Sequence, residues 1–371
     1  MTPHAPLDNP TKSDEEARFR ARLAKARTIV VKIGSKSLTG DAWQRMAAEV
    51  RALADLRKRV VIVSSGAIAL GVQRLRLSGR PKDMAWLQAA AAAGQSALMQ
   101  RWDSAFAPLG LCAAQVLLTH ADLADRTRTN NARHALEALL EAGAVPIINE
   151  NDAVAVEEIK FGDNDQLASM VVPLVGAELL LLLSDVEGLL DDRGVRLSFI
   201  QSVASEARQF AGASKSGVGT GGMASKIEAA RSATFAGAHV VIAAAREATV
   251  ISRVLAGEDV GTLFPAVSQR ISARKHWIAF TLRPRGALIL DRGAVEAVQR
   301  DRSVLAVGVL GVRGSFNPGD SVSLFDLDGH ELARGLVRAS AVDAARAAGA
   351  RIDGASLELV HRDDLVRLPE D

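Results

Sequence analysis

The sequence predicts an α/β protein: a doubly wound, mostly parallel sheet sandwiched by helices, followed by a small C-terminal β-barrel-like domain. Three observations lead there. Apolar runs of strand length at 28–33, 60–63, 145–148, 179–183 and 240–243 alternate with helical patterns, the signature of stacked βαβ units. A chain of 371 residues exceeds what one ordinary core organises. Beyond about residue 270 the alternation stops, and short β-like runs separated by turn signals replace it.

Residues 28–33 read as the first strand, closed by the turn Gly34-Ser35. Helical apolar spacing spans 41–57, and the buried run 60–63 ends at Ser64-Ser65-Gly66. Alanine-rich helical sequence occupies 82–106, a strand 111–117, a helix 126–141 and a strand 145–148. A hairpin-like stretch at 153–161 precedes a helix at 166–175 and the wholly apolar strand 179–183, which ends at Ser184-Asp185. After a glycine-rich stretch come a helix at 223–236 and a strand at 240–243. The second domain shows β-like runs at 287–290, 304–312 and 321–325, with one helical patch at 293–300. The expected organisation is a flexible extension at 1–27, a first domain at 28–265, a linker at 266–275, a second domain at 276–361 and a tail at 362–371.

Composition narrows the function classes. Basic and acidic residues nearly cancel, for a net charge of +2, too balanced to imply a polyanionic partner. Mean hydropathy is +0.11, and every apolar run is interrupted well before the roughly 20 residues of a membrane span. The single Cys112 excludes an intrachain disulfide and fits a reducing compartment. Residues 1–27 lack the apolar segment of a signal peptide, so a cytoplasmic location is expected. The seven histidines lack ligand spacing, and no protein-built metal site is assigned.

In open α/β sheets, ligands gather at the carboxyl ends of strands. Gly34, Ser65, Asn149 and Asp185 all fall there. Two blocks, Asn149-Glu150-Asn151-Asp152 and Gly162-Asp163-Asn164-Asp165, concentrate carboxylates and amides. Such groups suit a small zwitterion, because carboxylates meet an ammonium and amides meet a carboxylate. Two Asx-rich turns would look the same. Lys32, closing the first strand, either reaches toward a phosphate or extends into water. The run Gly217-Val218-Gly219-Thr220-Gly221-Gly222 does not follow a strand, so it is no dinucleotide fingerprint, and no Gly-Lys pair makes a Walker loop. It reads as an anion-binding loop feeding a helix with Lys226 in its first turn, or as a plain surface linker. Ser65 suits either a substrate carboxylate or simple helix capping.

In order and type these motifs are specific. Val30-Val31-Lys32-Ile33-Gly34-Ser35, Val63-Ser64-Ser65-Gly66-Ala67-Ile68, Asn149-Glu150-Asn151-Asp152-Ala153-Val154, Gly162-Asp163-Asn164-Asp165, Leu183-Ser184-Asp185 and Gly219-Thr220-Gly221-Gly222-Met223 through Lys226 together resemble the amino acid kinase family. The C-terminal region looks like the PUA domain that many of its members carry. The resemblance implies the amino acid kinase fold and ATP-dependent phosphorylation of the γ-carboxylate of L-glutamate, with Mg²⁺ carried by the nucleotide. It also implies proline as an inhibitor and a homo-oligomer, dimer or tetramer. Catalysis would fall to Lys32 and Lys226, with Asp163 orienting the two lysines. Lys32, Ser184, Asp185, Thr220, Gly221, Gly222, Met223, Ala224, Ser225 and Lys226 would bind ATP. Ser65, Asp152, Asn164 and Asp165 would bind the amino acid. After Gly188 the chain is shorter than its relatives and has no tyrosine, which touches the adenine side.

Two alternatives stand beside this one. The acceptor could be acetylglutamate, aspartate or carbamate, each of which gives an acyl phosphate. The PUA-like domain could bind RNA, but residues 276–360 hold 10 arginines, no lysine and 10 acidic residues, and a surface tracking a nucleic-acid backbone should be clearly basic.

Overall fold

The computed structural model describes residues 11–154, 164–203, 222–267, 271–350 and 356–368. The chain divides into two compact units, Met1–Ser268 and Gln269–Asp371.

The first unit is built on a seven-stranded sheet. Its strands are β1 (Thr28–Ile33), β2 (Arg59–Ser64), β3 (Ala113–Leu118), β4 (Val145–Glu150), β5 (Leu179–Ser184), β6 (His239–Ala244) and β7 (Thr262–Phe264), in the order β3-β4-β2-β1-β5-β6-β7. All pairings are parallel except β6 with β7. Central strands covered on both faces read as unbroken apolar runs, and every residue of β1 and β5 is buried.

Side chains alternate across a strand, and the two cores follow that alternation. Ile29, Val31 and Ile33 join one cluster with Leu98 and Trp102. Val30 joins the other with Leu167, Val171, Ile227 and Ala230. The latter four sit on α7 (Asn164–Val175) and α8 (Met223–Phe235). By parity Lys32 shares the face of Val30. The period of the strand therefore aims the one lysine of β1 at the helices that carry the other site residues.

Two further helices complete this unit, α3 (Ala67–Arg74), the helix expected after Gly66, and α1 (Lys12–Leu23), which falls in the expected extension. They flank α2 (Ala42–Asp55) and the single long α4 (Met84–Phe106), while α5 (His120–Ala124) and α6 (Arg126–Glu141) lie between β3 and β4 and α9 (Val250–Leu255) precedes β7. Glycines set the α3–α4 approach: a Cβ on Gly94 would lie 1.8 Å from the carbonyl oxygen of Ala67, and one on Gly71 1.7 Å from that of Ala90. Only hydrogen fits there.

Residues 12–23, expected within a flexible extension, instead form a docked helix. Thr11 closes a capping box with Asp14, Leu23 is fully buried, and Phe19 stacks on Phe199 at 5.9 Å. Arg20 is the anchor. Its guanidinium donates to the carbonyls of Glu258 (2.9 Å) and Ser198 (2.9 Å) and pairs with Glu16 (2.8 Å) and Asp259 (3.0 Å). Truncating it orphans several buried acceptors, so Arg20→Ala is expected to cost roughly 3 kcal/mol in urea denaturation. A change below about 0.5 kcal/mol would mean the helix is only loosely attached.

The second unit is a six-stranded sheet of β8 (Gly286–Leu290), β9 (Val304–Leu305), β10 (Val309–Gly314), β11 (Ser321–Phe325), β12 (Glu331–Val337) and β13 (Glu358–Arg367), ordered β10-β8-β11-β12-β13-β9. It includes α10 (Ala273–His276), α11 (Arg292–Gln299) and α12 (Ala341–Ala347). Its own core gathers Leu288, Val298, Val309, Val322, Leu324 and Val360. Among the described residues of the chain, no helix is long and apolar enough to cross a membrane.

Candidate active site

Strand β1 ends at Ile33, and the Ser65 amide N–H donates to the Ile33 carbonyl at 3.1 Å. The ends of β1 and β2 are thereby joined where α7 begins. Two consecutive residues of α7 face two different groups. Asn164 Nδ2 donates to Ser65 Oγ at 2.7 Å and to Asn149 Oδ1 at 3.2 Å. Asp165, with no exposed surface, takes Lys32 Nζ on one carboxylate oxygen at 2.6 Å and Lys226 Nζ on the other at 3.0 Å.

The two lysines are nearly as buried, at 7% and 6% side-chain exposure. Charges of this kind persist inside a protein only when paired, and Asp165 pairs both. They come from strands and helices far apart in sequence, and one carboxylate sets their separation. Among the described residues two ammonium groups share this one carboxylate, an arrangement that suits an anion. From sequence, Asp163 is expected to orient the lysines and Asp165 to bind the amino acid. Among the described residues, Asp165 is the carboxylate that lies between the lysines. Asp163, with Thr220 and Gly221, lies outside the described residues.

Lys226 occupies the first turn of α8, whose N-cap is Gly222. Met223 and Ala224 open that helix, and Ser225 Oγ is buried without a hydrogen-bond partner among the described residues. At the end of β5, Ser184 Oγ donates to Asp185 Oδ1 at 2.9 Å. That bond, with the charges of Lys36 and Lys226, holds the Asp185 carboxyl below its usual range. Lys36, in the turn after β1, approaches Asp185 at 3.7 Å. The short loop after Gly188 is closed by Asp191, whose carboxylate accepts from the Arg193 and Val195 amides at 2.9 and 2.8 Å.

Asp152 sits in the turn after β4 and lines a cavity of about 310 Å³ with Gln95, Gln115 and Glu150. Burial pushes its carboxyl up to about 6, against a smaller opposing pull from Arg80. Sequence reasoning passed over Gln95, which hydrogen-bonds Asn149; the one signal was Gly94-Gln95 interrupting an alanine run.

A buried pair of ammonium groups on a shared carboxylate, beside an amide-and-hydroxyl cluster at the carboxyl edge of a parallel sheet, is the arrangement of a phosphotransferase acting on an anionic acceptor. Residues 27–244 match the amino acid kinase family model and residues 286–353 the PUA domain model. The chain belongs to the amino acid kinase family. Its full-length relatives include the glutamate 5-kinases of Ralstonia nicotianae (46% identical, covering 94% of this chain and 100% of that one) and Myxococcus xanthus (46%, 94% and 98%). The glutamate 5-kinase of Syntrophotalea carbinolica is 42% identical over 93% of this chain and 98% of its own. Among solved structures, N-acetylglutamate synthase from Neisseria gonorrhoeae, complexed with coenzyme A and L-arginine, superposes with a TM-score of 0.51 at 16% identity. That match covers 77% of this chain and 69% of the other, a likeness of fold alone.

Proposed function

We propose that this protein transfers the γ-phosphoryl group of ATP to the γ-carboxylate of L-glutamate, forming L-glutamyl 5-phosphate, the first step of proline biosynthesis, in the cytoplasm. The observation that carries the reading is Asp165 holding Lys32 and Lys226 at 2.6 and 3.0 Å one residue from the Asn164–Ser65 pair. The near full-length similarity to glutamate 5-kinases supports glutamate as the acceptor.

The nucleophile is the substrate's own carboxylate, so no protein base has to remove a proton. The obstacle is charge. Two like unit charges about 4 Å apart repel by roughly 4 kcal/mol at an effective dielectric near 20, and a triphosphate multiplies that. Lys32 and Lys226 neutralise the transferring group as negative charge spreads over its oxygens, already positioned before the nucleotide arrives. The N-terminus of α8 adds backbone donors for phosphate oxygens. Mg²⁺ carried in on the nucleotide would supply further neutralisation of phosphate charge. Ser184, Asp185 and the Gly222–Ser225 segment would line the nucleotide side, and Thr220 and Gly221 would join them. Ser65, Asn164 and Asp152 would hold the amino acid, with Asp152 opposite its ammonium.

The test of acceptor identity is ADP release with L-glutamate, N-acetyl-L-glutamate, L-aspartate and carbamate compared side by side. Strong preference for L-glutamate is expected; greater turnover with any of the others would overturn the reading. Proline is proposed to compete at the glutamate subsite, and a homo-oligomer is proposed as the working form. Inhibition by proline that ignores glutamate concentration would contradict the first.

Asp152 gives a pH prediction. Its folded-state value of about 6 lies above the ordinary 3.8. The folded chain therefore holds an extra proton between roughly pH 4 and 6, and unliganded stability falls as pH rises through that window. Binding an ammonium needs the carboxylate form. The KM for glutamate should accordingly rise as pH drops below about 6, by up to about tenfold per unit, and Asp152→Asn should flatten the profile at a uniformly high KM. A wild-type KM that stays constant from pH 7.5 to 5 would remove Asp152 from the ammonium contact.

A further inference from the structure

Four side chains form a continuous relay along the amino acid side of the site. Gln95 Oε1 accepts from Asn149 Nδ2 at 2.9 Å, Asn149 Oδ1 accepts from Asn164 Nδ2 at 3.2 Å, and Asn164 Nδ2 also donates to Ser65 Oγ at 2.7 Å. Amide orientations are ordinarily ambiguous, but one bond settles all of these. The backbone N–H of Glu150 donates to Asn149 Oδ1 at 2.9 Å, and a backbone N–H faces only an acceptor. The Nδ2 of Asn149 must then point at Gln95, whose facing atom must be its oxygen. Asn164 must in turn present its nitrogen to Asn149, which leaves Asn164 Oδ1 buried and without a hydrogen-bond partner among the described residues.

The polarity that emerges is specific. Asn164 Oδ1 is a spare acceptor, and Ser65, already accepting from Asn164, keeps its hydroxyl proton to donate. An acceptor beside a donor complements the ammonium and carboxylate of a free α-amino acid. We infer that Gln95 is a positioning residue: by accepting from Asn149 Nδ2 it holds in place the amide whose orientation the Glu150 N–H dictates, and with it the affinity for the amino acid substrate. Gln95 is 9% exposed, its Nε2 is buried without a hydrogen-bond partner among the described residues, and it lines the 310 Å³ cavity shared with Asp152. Its placement is rigid. Gly94, the preceding residue, is pressed against the Ala67 carbonyl, so the helix bearing Gln95 and the helix that follows Ser65 are locked at backbone contact.

The inference rests on the glutamate reading above. Gln95→Met keeps the volume and removes the acceptor. The KM for L-glutamate should rise at least fivefold, while kcat and the KM for ATP stay within about twofold. Gln95→Asn keeps an amide but withdraws it by one methylene. The same selective rise is expected there, and this milder change serves if the Met variant does not fold. A double-mutant cycle with Asn164→Ala should be strongly non-additive, because both changes break one relay. An unchanged glutamate KM in whichever variant folds, an equal rise in the KM for ATP, or full additivity would overturn the positioning role. Wild-type protein in the same assay separates the two failures. No glutamate-dependent ADP release from it defeats the functional proposal, whereas normal wild-type turnover with unaffected Gln95 variants defeats only this inference.

Discussion

Asp165→Asn is expected to fold and to lose at least about 10³-fold in kcat, at the upper end of what removing one preorganised electrostatic group costs. The substitution is nearly isosteric, so packing in the first turn of α7 survives. What disappears is the negative charge that Lys32 and Lys226 share at 2.6 and 3.0 Å. Two buried ammonium groups then repel across an uncharged amide, and each leaves the geometry that suits the transferring phosphoryl group. The KM for glutamate should move far less than kcat, because the Asn164–Ser65 contact does not depend on the lost charge. Circular dichroism and ADP release on the same preparation check both halves. A kcat within tenfold of wild type would show that the lysines need no common anchor.

Lys226→Ala carries the second large effect, a loss of about 10³-fold or more in kcat with the glutamate KM little changed. Lys226→Arg should rescue little. The side chain is 6% exposed, and a planar guanidinium fork does not occupy the space of a compact ammonium. Because the two lysines act as one unit, Lys32→Ala combined with Lys226→Ala should be scarcely slower than either alone. Initial-rate measurements at saturating ATP and glutamate decide it. Near-normal turnover in folded Lys226→Ala would take this residue out of the chemistry.

How much of this was legible in the chain follows from particular residues. The β1 and β5 strands were readable because both faces are covered, leaving runs that are apolar apart from Thr28 and Lys32 in β1 and the terminal Ser184 in β5. Strand parity alone nearly locates the site, since it sends Lys32 to the face of Val30, where α7 and α8 pack. The Gly-Asp-Asn-Asp block was recognisable, but the contact of Asp165 with both lysines was not. Lys32 and Lys226 are both distant from Asp165 in the chain, so no local pattern shows the contact. Helix α1 was missed because Lys12–Leu23 is dominated by charge; its burial depends on Phe19, Leu23 and an arginine satisfied by carbonyls remote in sequence. Strands β12 and β13 were missed for a related reason. Only Ala333, Gly335 and Val337 of β12 face inward, and His361 to Asp364 interrupt β13 with polar groups. Gln95 was hidden as one polar residue in an alanine-rich helix, since its partner Asn149 is distant in the chain.

The most direct test of the central claim is hydroxylamine trapping of the product. Purified protein with ATP, Mg²⁺ and L-glutamate should yield γ-glutamyl hydroxamate in step with ADP release, and the Asp165→Asn protein should yield almost none. ADP release without hydroxamate, or hydroxamate formed equally well by the Asp165→Asn protein, would contradict acyl-phosphate formation at the paired lysines.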